Sequence, residues 1–278
     1  MPELPEVETM CRGIAGVAGS RIEQAEVIRC RRKPIAIEPR GAAFARRLRG
    51  RLIDRVSRIG KRVVLWLDSG EAVVFEPRMT GLVLLADPPS REHLRLRLRL
   101  SGACPALHYW DRRGLGSVRL LSAEQFRERF DAPNLGRDAL EITAEQLRER
   151  LAGSRRAVKV ALLDQRALAG IGNLYAAEIL HVARLHPERR CDALRPQNWA
   201  ALHSAIGEVL QAAIRYEGST LGDGTYRNAL NQQGRYQNHH RVYGKEGQAC
   251  PSCTRGTVVR IVQAQRSTFY CPRCQRKR

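Results

Sequence analysis

The sequence lacks any apolar run long enough to cross a lipid bilayer. Its first residues also lack the pattern of a signal peptide or of an arginine-rich transit sequence. These absences predict a cytoplasmic protein that does not contact a membrane. Hydrophobic residues make up 43% of the 278 residues, so the chain is expected to be globular, and its length favours two domains that each bury a core.

Acidic residues are scarce beside basic ones, 28 against 48, which gives a net charge of +20. An excess of this size indicates a polyanionic partner that is held through phosphate contacts and counterion release. Nucleic acid is favoured over an anionic membrane surface because no basic amphipathic helix with an exposed aromatic face is recognisable.

Lysine is rare as well, since only five of the 48 basic residues are lysines. Against an arginine background, a lysine suggests a site that needs a compact ammonium rather than a planar guanidinium. Lys61 is the lysine that we single out, because it follows the turn-like Ile59-Gly60. The alternative is that one of the five lysines occurs there by chance.

The first half of the sequence predicts strands. The alternation of Leu and Arg from Leu94 to Leu100 gives one apolar and one cationic face, and Asp68-Ser69-Gly70 joins the two arms of a predicted hairpin. The predicted strands are Arg62 to Leu67, Ala72 to Phe75, Leu82 to Leu85, Leu94 to Leu100, Ala106 to Trp110 and Ser117 to Leu121. With a helix predicted over Val7 to Val17, this half is expected to be a β-sandwich that carries an N-terminal helix.

The second half changes to helical periodicity after Pro133-Asn134-Leu135-Gly136. The predicted helices are Ala144 to Leu151, Ala157 to Ala167, Leu174 to Val182 and Asn198 to Tyr216. Gly218 to His240 is rich in Gly, Asn, Gln and Thr, and we expect it to be a mobile loop. The resulting domain ranges are 1–121, 134–235 and 241–278.

Two Cys-x-x-Cys pairs, Cys250 with Cys253 and Cys271 with Cys274, are separated by 17 residues. This spacing is typical of a four-cysteine site for one structural zinc ion, and the residues between the pairs are expected to form a hairpin. Two disulfides are the alternative, but they fit poorly with a chain that lacks a secretion signal. The other cysteines, Cys11, Cys30, Cys104 and Cys191, are expected to be small buried hydrophobic residues.

The start Met1-Pro2-Glu3-Leu4-Pro5-Glu6 suggests nucleophilic chemistry. Removal of Met1 would leave a secondary amine at Pro2, and an α-amine has a pKa of about 8, so much of it is uncharged near neutral pH. Glu3 and Glu6 would supply a proton donor and a supporting carboxylate. The alternative is an extended start before a helix, with Pro5 in the first turn and acidic residues that favour the helix dipole.

Two segments are candidates for phosphate contacts. Gly170-Ile171-Gly172-Asn173 leads into a predicted helix, where Asn173 would be the N-cap and free N–H groups would favour an anion. Arg266 lies between the predicted strands of the zinc hairpin, where it would reach furthest. Taken alone, the first pattern is commonplace and Arg266 is one arginine among many.

Taken together, these motifs resemble those of the formamidopyrimidine-DNA glycosylases, a bacterial repair family that also includes endonuclease VIII. The resemblance rests on the Pro-Glu-Leu-Pro-Glu start, Lys61, Met79, Asp111 with Arg112-Arg113, Gly-Ile-Gly-Asn, the Gln-Arg-Ser-Thr-Phe-Tyr-Cys run and the four cysteines, in the family's order. It implies an α+β multidomain fold with an N-terminal β-sandwich, a helix-two-turn-helix domain and a C-terminal zinc finger. DNA would lie between the two halves.

The resemblance also implies roles for individual residues. Pro2 would be the nucleophile, Glu3 the proton donor and Glu6 a supporting carboxylate, while Lys61 would assist the chemistry and contact a phosphate. The implied DNA contacts are Met79, His93, Arg112, Arg113, Leu115, Asn173 and Arg266. Of these contacts, Met79 and Arg113 would fill the gap left by the extruded base. Outside this list, Glu178 also falls on a family position, but no role is assigned to it.

Three positions depart from the family pattern. Where the family has Asp-Pro-Arg-Arg-Phe-Gly, this chain has Asp-Arg-Arg-Gly-Leu-Gly over residues 111–116, so Leu115 replaces an aromatic wedge and Gly114 removes an arginine. Glu76 stands where a histidine usually precedes the Met-x-Gly segment. We expect slower lesion interrogation and relaxed discrimination of the opposite base.

The sequence therefore predicts a bifunctional DNA glycosylase and abasic-site lyase that excises oxidised purines and then cuts the strand by β,δ-elimination. The resemblance implies a monomer in the bacterial cytoplasm, associated with the nucleoid, that acts on double-stranded DNA containing oxidised bases or abasic sites. Excision of oxidised pyrimidines, in the manner of endonuclease VIII, is one alternative. A non-catalytic protein that binds damaged DNA is another.

Overall fold

A computed structural model describes residues 2–30 and 33–277. The chain divides into two compact units, each built from two separate stretches of sequence. Unit 1 comprises Met1–Asp131 and Ile214–Gln237, and unit 2 comprises Ala132–Ala213 and Asn238–Arg278. None of the helices in the described part of the chain is long and apolar enough to cross a membrane.

The described residues of unit 1 form two sheets and three α-helices. Its helices are α1 (Leu4–Gly13), α2 (Ala42–Leu48) and α3 (Ala123–Phe130). Its strands are β1 (Ile22–Val27), β2 (Ala36–Glu38), β3 (Ile53–Ile59), β4 (Arg62–Leu67), β5 (Ala72–Glu76), β6 (Gly81–Leu84), β7 (Leu94–Leu100), β8 (Ala106–Asp111) and β9 (Ser117–Leu121). One sheet has the order β1-β7-β8-β6, and the other has the order β2-β9-β5-β4-β3.

The hydrophobic core of unit 1 draws residues from both sheets and from α1. Val7 and Met10 of α1 are fully buried beside Val63 and Leu65 of β4 and Leu82 of β6. Because α1 follows Glu3 directly, this packing fixes the position of the first residues of the chain. The β-sandwich with an N-terminal helix is therefore confirmed.

Unit 2 is mainly helical. Its elements are β10 (Arg137–Asp138), α4 (Ala144–Leu151), α5 (Val158–Leu162), β11 (Leu168–Ala169), α6 (Asn173–Val182), α7 (Pro196–Arg215, whose last two residues belong to unit 1), β12 (Val259–Gln263) and β13 (Arg266–Tyr270). Strands β12 and β13 form an antiparallel hairpin with Gln263 opposite Arg266. Ala264 and Gln265 form its two-residue turn, and both have positive φ, the backbone conformation of a type I′ turn.

Most predicted elements are present, with differences at their ends. The first helix begins at Leu4 rather than Val7, and after Gly13 the chain continues as a 3₁₀ turn over Ala15–Val17. The helix predicted over Ala157 to Ala167 ends at Leu162. The chain turns after it, because the backbone carbonyl of Asp164 accepts the N–H groups of Ala167 and Leu168. The elements that were not predicted are β1, β2, β3, β10, β11, α2 and α3.

The segment predicted as a mobile loop, 218–240, is irregular apart from the 3₁₀ turn Tyr236–His239. It is nevertheless packed: Tyr226 and Ala229 belong to the core of unit 1, and the Thr220 hydroxyl donates a hydrogen bond to the Tyr226 carbonyl. The prediction missed this packing because the two core residues stand in a polar stretch without apolar periodicity, and hydrogen bonds add to their packing.

Candidate active site and nucleic-acid interface

The amino-terminal residues Pro2, Glu3 and Glu6 are all buried in unit 1. Glu3 is the N-cap of α1, and its backbone N–H donates a 2.8 Å hydrogen bond to the Glu6 carboxylate. Pro5 lies in the first turn, where its missing N–H costs nothing. Met1 lies outside the described residues. Glu3 and Glu6 therefore form the capping box of α1 and are also the candidate catalytic carboxylates. The helix-start interpretation and the catalytic interpretation of this segment are compatible.

Glu6 also contacts the 218–240 segment. Its Oε1 accepts a 2.9 Å hydrogen bond from the Ser219 N–H, and a Cβ added at Gly218 would lie 2.9 Å from the same oxygen. Gly218 has a φ of +78°, so glycine is favoured there for its backbone as well as for space. The segment therefore closes over the Glu6 carboxylate and gives it a fixed orientation.

Lys61 lies in the tight turn between β3 and β4, after Gly60, whose φ is +54°. Arg58 connects this turn to α1: its Nε donates to Glu8 at 2.9 Å, and its Nη1 donates to the Gly60 carbonyl at 3.0 Å. Burial by itself would raise the pKa of Glu8, but hydrogen bonds from Arg12 and Arg58 outweigh it and lower that pKa. Glu8 therefore stays ionised and holds the Lys61 turn against the helix that carries Glu3 and Glu6.

One buried polar network supports the predicted wedge residues. The Asp111 carboxylate is fully buried; its Oδ1 accepts from the Thr80 hydroxyl and from the Arg113 N–H, and its Oδ2 accepts from the Gly116 N–H at 2.8 Å. Met79 precedes Thr80 and is 37% exposed, and Leu115 lies between Arg113 and Gly116 and is 50% exposed. Two exposed apolar side chains thus lie next to a buried network of hydrogen bonds.

Gly114 has a physical reason to be glycine in this loop. Its φ is +65°, and a Cβ at this position would lie 2.5 Å from the Lys33 carbonyl oxygen. An arginine there would require both the loop and the Lys33 backbone to move. The departure from the family pattern therefore matches the local backbone.

His93 and Arg112 lie close to the same network. The His93 carbonyl accepts the Asp111 N–H, and the His93 ring packs edge-on against Trp110 with ring centroids 5.6 Å apart. The Arg112 side chain is 43% exposed and lies 3.7 Å from the Asp223 carboxylate. Both residues share the Asp111 end of β8 with the predicted wedge residues.

In unit 2, Asn173 is the first residue of α6 rather than its N-cap, so the predicted capping role is wrong. Its Oδ1 accepts a 2.7 Å hydrogen bond from Lys159 Nζ, and its Nδ2 donates to the Ser267 carbonyl at 3.0 Å. Lys159 is 1% exposed and also donates to the Thr268 hydroxyl at 2.6 Å. The helix start is thereby tied to β13, the strand that begins at the exposed Arg266.

Lys159 was missed by the sequence interpretation, which singled out Lys61 alone. The signal was available, since Lys159 is another of the five lysines in an arginine-rich chain. Three oxygen acceptors converge on it, and an ammonium supplies three donors from one point, which a planar guanidinium does not.

The sulfur atoms of Cys250, Cys253, Cys271 and Cys274 all lie within 4.8 Å of one another. The Sγ atoms of Cys250 and Cys274 are 3.7 Å apart, and those of Cys253 and Cys271 are 3.8 Å apart. A tetrahedral site with Zn–S bonds of about 2.3 Å has sulfur–sulfur edges of about 3.8 Å, so the four thiolates fit one structural zinc ion. Of the other cysteines, Cys11 and Cys191 are buried as predicted, whereas Cys30 and Cys104 are only partly buried.

The cysteine cluster is supported by α6. His181 Nε2 lies 3.4 Å from Cys250 Sγ, and burial, with Arg241 and Arg184 nearby, lowers the pKa of His181 to about 4. One turn earlier on α6, the buried Glu178 carboxylate accepts the backbone N–H groups of Arg241, Val242 and Tyr243. Glu178 therefore anchors the chain that leads into the zinc hairpin.

The fold and these sites define a class of protein: a β-sandwich that carries a buried amino-terminal carboxylate pair, a helical domain, and a four-cysteine finger. Family models match the formamidopyrimidine-DNA glycosylase N-terminal domain over residues 1–118, the H2TH domain of the same enzymes over 135–224, and a zinc finger found in FPG and IleRS over 247–276. The chain belongs to the formamidopyrimidine-DNA glycosylase family.

Relatives and solved structures agree with this assignment along the whole chain. The chain is 40% identical to the formamidopyrimidine-DNA glycosylase of Roseiflexus sp., with 99% of this chain and 100% of the relative covered. It matches the crystal structure of MutM (Fpg) from Thermus thermophilus with a TM-score of 0.85 at 36% identity, covering 99% and 98% of the two chains. It also matches a Lactococcus lactis FPG mutant in complex with Fapy-dG-containing DNA, with a TM-score of 0.88 at 32% identity, covering 99% and 100%.

Proposed function

We propose that this chain is a bifunctional DNA glycosylase and abasic-site lyase of bacterial base-excision repair, acting on oxidised purines such as 8-oxoguanine and formamidopyrimidines. The observation that carries the proposal is the buried carboxylate pair beside Pro2, in which Glu6 is held by the N–H groups of Glu3 and Ser219. Family membership supports it, since a Lactococcus lactis relative was crystallised with Fapy-dG-containing DNA.

The proposed reaction begins after removal of Met1. The Pro2 amine attacks C1′ of the damaged nucleotide, the bond from C1′ to the base breaks, and the proton that the amine loses neutralises the leaving base. Glu3 donates a proton to the sugar ring oxygen, which opens the ring and leaves an iminium between Pro2 and C1′. Loss of a C2′ proton then expels the 3′-phosphate, and a further deprotonation expels the 5′-phosphate. Water hydrolyses the iminium and returns the amine.

The base must leave the helix before this attack, at a cost of a few kcal/mol. We assign Met79, Arg113 and Leu115 to the gap that the base leaves, and His93 and Arg112 to the neighbouring DNA. Lys61, Asn173 and Arg266 are assigned to backbone phosphates. The zinc ion, when bound to the four cysteines, has a structural role and holds the hairpin that carries Arg266.

Borohydride trapping tests the proposal. Wild-type protein incubated with an 8-oxoguanine duplex and borohydride should form a covalent adduct that maps to Pro2. Acetylation of the amine should abolish the adduct, and Pro2→Gly should reduce strand scission sharply while leaving duplex binding intact. An adduct on another residue, or undiminished scission after acetylation, would rule out this mechanism. A protein that only binds damaged DNA would form no adduct.

A second substrate class has one observation in its favour, because the Lactococcus lactis relative has also been crystallised with DNA that contains an oxidised pyrimidine. Single-turnover excision from matched duplexes containing 8-oxoguanine or thymine glycol separates the two. Faster release of thymine glycol would assign the chain to the pyrimidine-directed activity.

A further inference from the structure

The turn that carries Met79 has a second feature, a cluster of ion pairs around Glu76. Glu76, the last residue of β5, lies within ion-pair distance of three arginines: Arg78 Nε at 3.0 Å, Arg62 Nη2 at 3.3 Å and Arg119 Nη1 at 3.4 Å. This glutamate occupies the position at which the family usually has a histidine. One carboxylate therefore gathers three positive charges directly beside an exposed apolar side chain.

The three arginines differ in exposure. The side chains of Arg62 and Arg119 are 22% and 20% exposed, whereas that of Arg78 is 62% exposed. Arg119 also pairs with Glu38 at 3.1 Å, and the Arg62 guanidinium lies over the Phe130 ring. The cluster contains three arginines and two glutamates, Glu76 and Glu38, so it keeps a net positive charge, and the most exposed of its guanidinium groups is that of Arg78.

The backbone conformation of Arg78 is unusual for an arginine. Its φ is +52°, in the left-handed region that favours glycine. The Gly81 N–H donates to the Pro77 carbonyl at 2.8 Å and closes the turn, and the Tyr109 hydroxyl donates to the Glu76 carbonyl. An arginine in a conformation that costs energy, held by an ion pair two residues away, is typical of a functional site.

We propose that Arg78, held by Glu76, is a phosphate-binding residue that contacts the DNA backbone beside the base step entered by Met79. An exposed guanidinium supplies two N–H groups to a phosphodiester, and its pairing with Glu76 through Nε limits its rotamers before binding. This inference adds a residue to the proposed DNA interface. It rests on the proposed function, because it takes DNA to be the polyanion that this chain binds.

The salt dependence of binding tests it. Full-length zinc-loaded protein is titrated, by fluorescence anisotropy, into a duplex that carries a non-reactive tetrahydrofuran abasic-site analogue over a series of salt concentrations. Loss of one phosphate contact lowers the slope of log K against log salt by about 0.9. We expect that change for Arg78→Ala and a wild-type slope for Arg78→Lys, which keeps the charge.

Arg47→Ala is the matched control, because Arg47 lies in the same unit, pairs with a single glutamate, Glu71, and has a side chain that is 45% exposed. Its slope should equal that of the wild type. The proposal is overturned if Arg78→Ala keeps the wild-type slope, if Arg47→Ala lowers the slope equally, or if Arg78→Lys falls as far as Arg78→Ala. Thermal unfolding of each variant verifies the fold, and Arg78→Gly, which relieves the positive φ, provides a second variant without the guanidinium.

The outcome is separable from that of the proposed function. Borohydride trapping by the wild type decides whether the amine chemistry occurs, whatever the slope of Arg78→Ala. Conversely, an unchanged slope with efficient trapping would remove Arg78 from the interface and leave the glycosylase assignment in place.

Discussion

The Thr80 hydroxyl donates a hydrogen bond to the Asp111 carboxylate, and the same hydroxyl oxygen accepts the backbone N–H of Arg113 at 2.9 Å. These two residues join the turn after β5 to the loop after β8. Met79 is adjacent to Thr80, and Leu115 lies in the loop whose backbone N–H groups Asp111 accepts, so one hydrogen-bond network supports both segments. A wedge that separates stacked bases needs such support, because a flexible side chain would yield instead of the DNA.

Replacement of the Asp111 carboxylate tests this support. Asp111→Asn replaces an acceptor by an N–H₂ donor that faces the buried donors of Thr80, Arg113 or Gly116, which costs about 1–3 kcal/mol. We expect a lower free energy of unfolding in denaturant titration and weaker binding to a lesion duplex. Asp54→Asn, at an exposed aspartate of β3, should change neither. Equal stability of Asp111→Asn and the wild type would show that the network does not hold the loop.

Leu115 is the second test, since it stands where the family has an aromatic wedge. Leu115→Phe adds stacking on a base, and a difference of about 1 kcal/mol would speed base extrusion about fivefold. Stopped-flow fluorescence of 2-aminopurine beside the lesion measures this step. Trapping on a preformed abasic site should be unchanged, and equal extrusion rates would contradict the assigned role of Leu115.

Replacement of the buried Lys159 is the third test, and it should lower the stability of unit 2. Lys159→Met leaves the Asn173 Oδ1, Ser267 carbonyl and Thr268 hydroxyl acceptors without their ammonium donor, which costs about 1–3 kcal/mol. We expect reduced stability and weaker duplex binding. Lys277→Met is the control, because Lys277 is exposed and pairs only with Glu188 among the described residues. Similar losses in both variants would assign the effect to net charge.

His240 predicts a pH dependence of stability. Burial, followed by the charges of Lys245 and His239, lowers the pKa of His240 from 6.5 to about 4. The unfolded chain therefore binds a proton more readily than the folded chain between these values. Stability from this residue is complete above pH 6.5 and is lost as the pH falls towards 4, by up to roughly 3 kcal/mol.

Denaturant titration across this pH window gives the free energy of unfolding of the wild type and of His240→Asn. The difference between the two values isolates the contribution of His240, because both proteins share the acid-labile zinc site. The difference between the two proteins should shrink as the pH falls. His239→Asn, at the exposed neighbouring residue, removes only the smallest of the causes that lower the pKa of His240, so its curve should stay close to that of the wild type. Parallel curves for the wild type and His240→Asn would refute the assignment.

Gly256 predicts a steric effect on metal binding. A Cβ at this position would lie 2.6 Å from Cys271 Sγ and 3.2 Å from Cys253 Sγ. Gly256→Ala should therefore distort the tetrahedron and speed zinc release to a chromogenic chelator. Gly153→Ala is the control in the same unit, since the described structure leaves open space around its Cβ. Equal release rates would show that the cluster relaxes without cost.

The sequence determined the features whose signals are local. The strand Leu94–Leu100 follows from the alternation of Leu and Arg, α4 follows from its periodicity, and the zinc site follows from the spacing of four cysteines. The proposed amino-terminal chemistry rests on six consecutive residues, Met1 to Glu6. Each of these patterns is complete within a short segment, so its physics can be evaluated without knowledge of the fold.

The tertiary structure decided which distant groups meet. Ser219 donates to Glu6 across 213 residues of sequence, and Lys159 donates to Thr268 across 109. No periodicity marks such pairs, because a buried hydrogen bond depends on the final positions of both partners and leaves no pattern around either one. For the same reason Asn173 was expected to cap its own helix, whereas the fold places its side chain between Lys159 and Ser267.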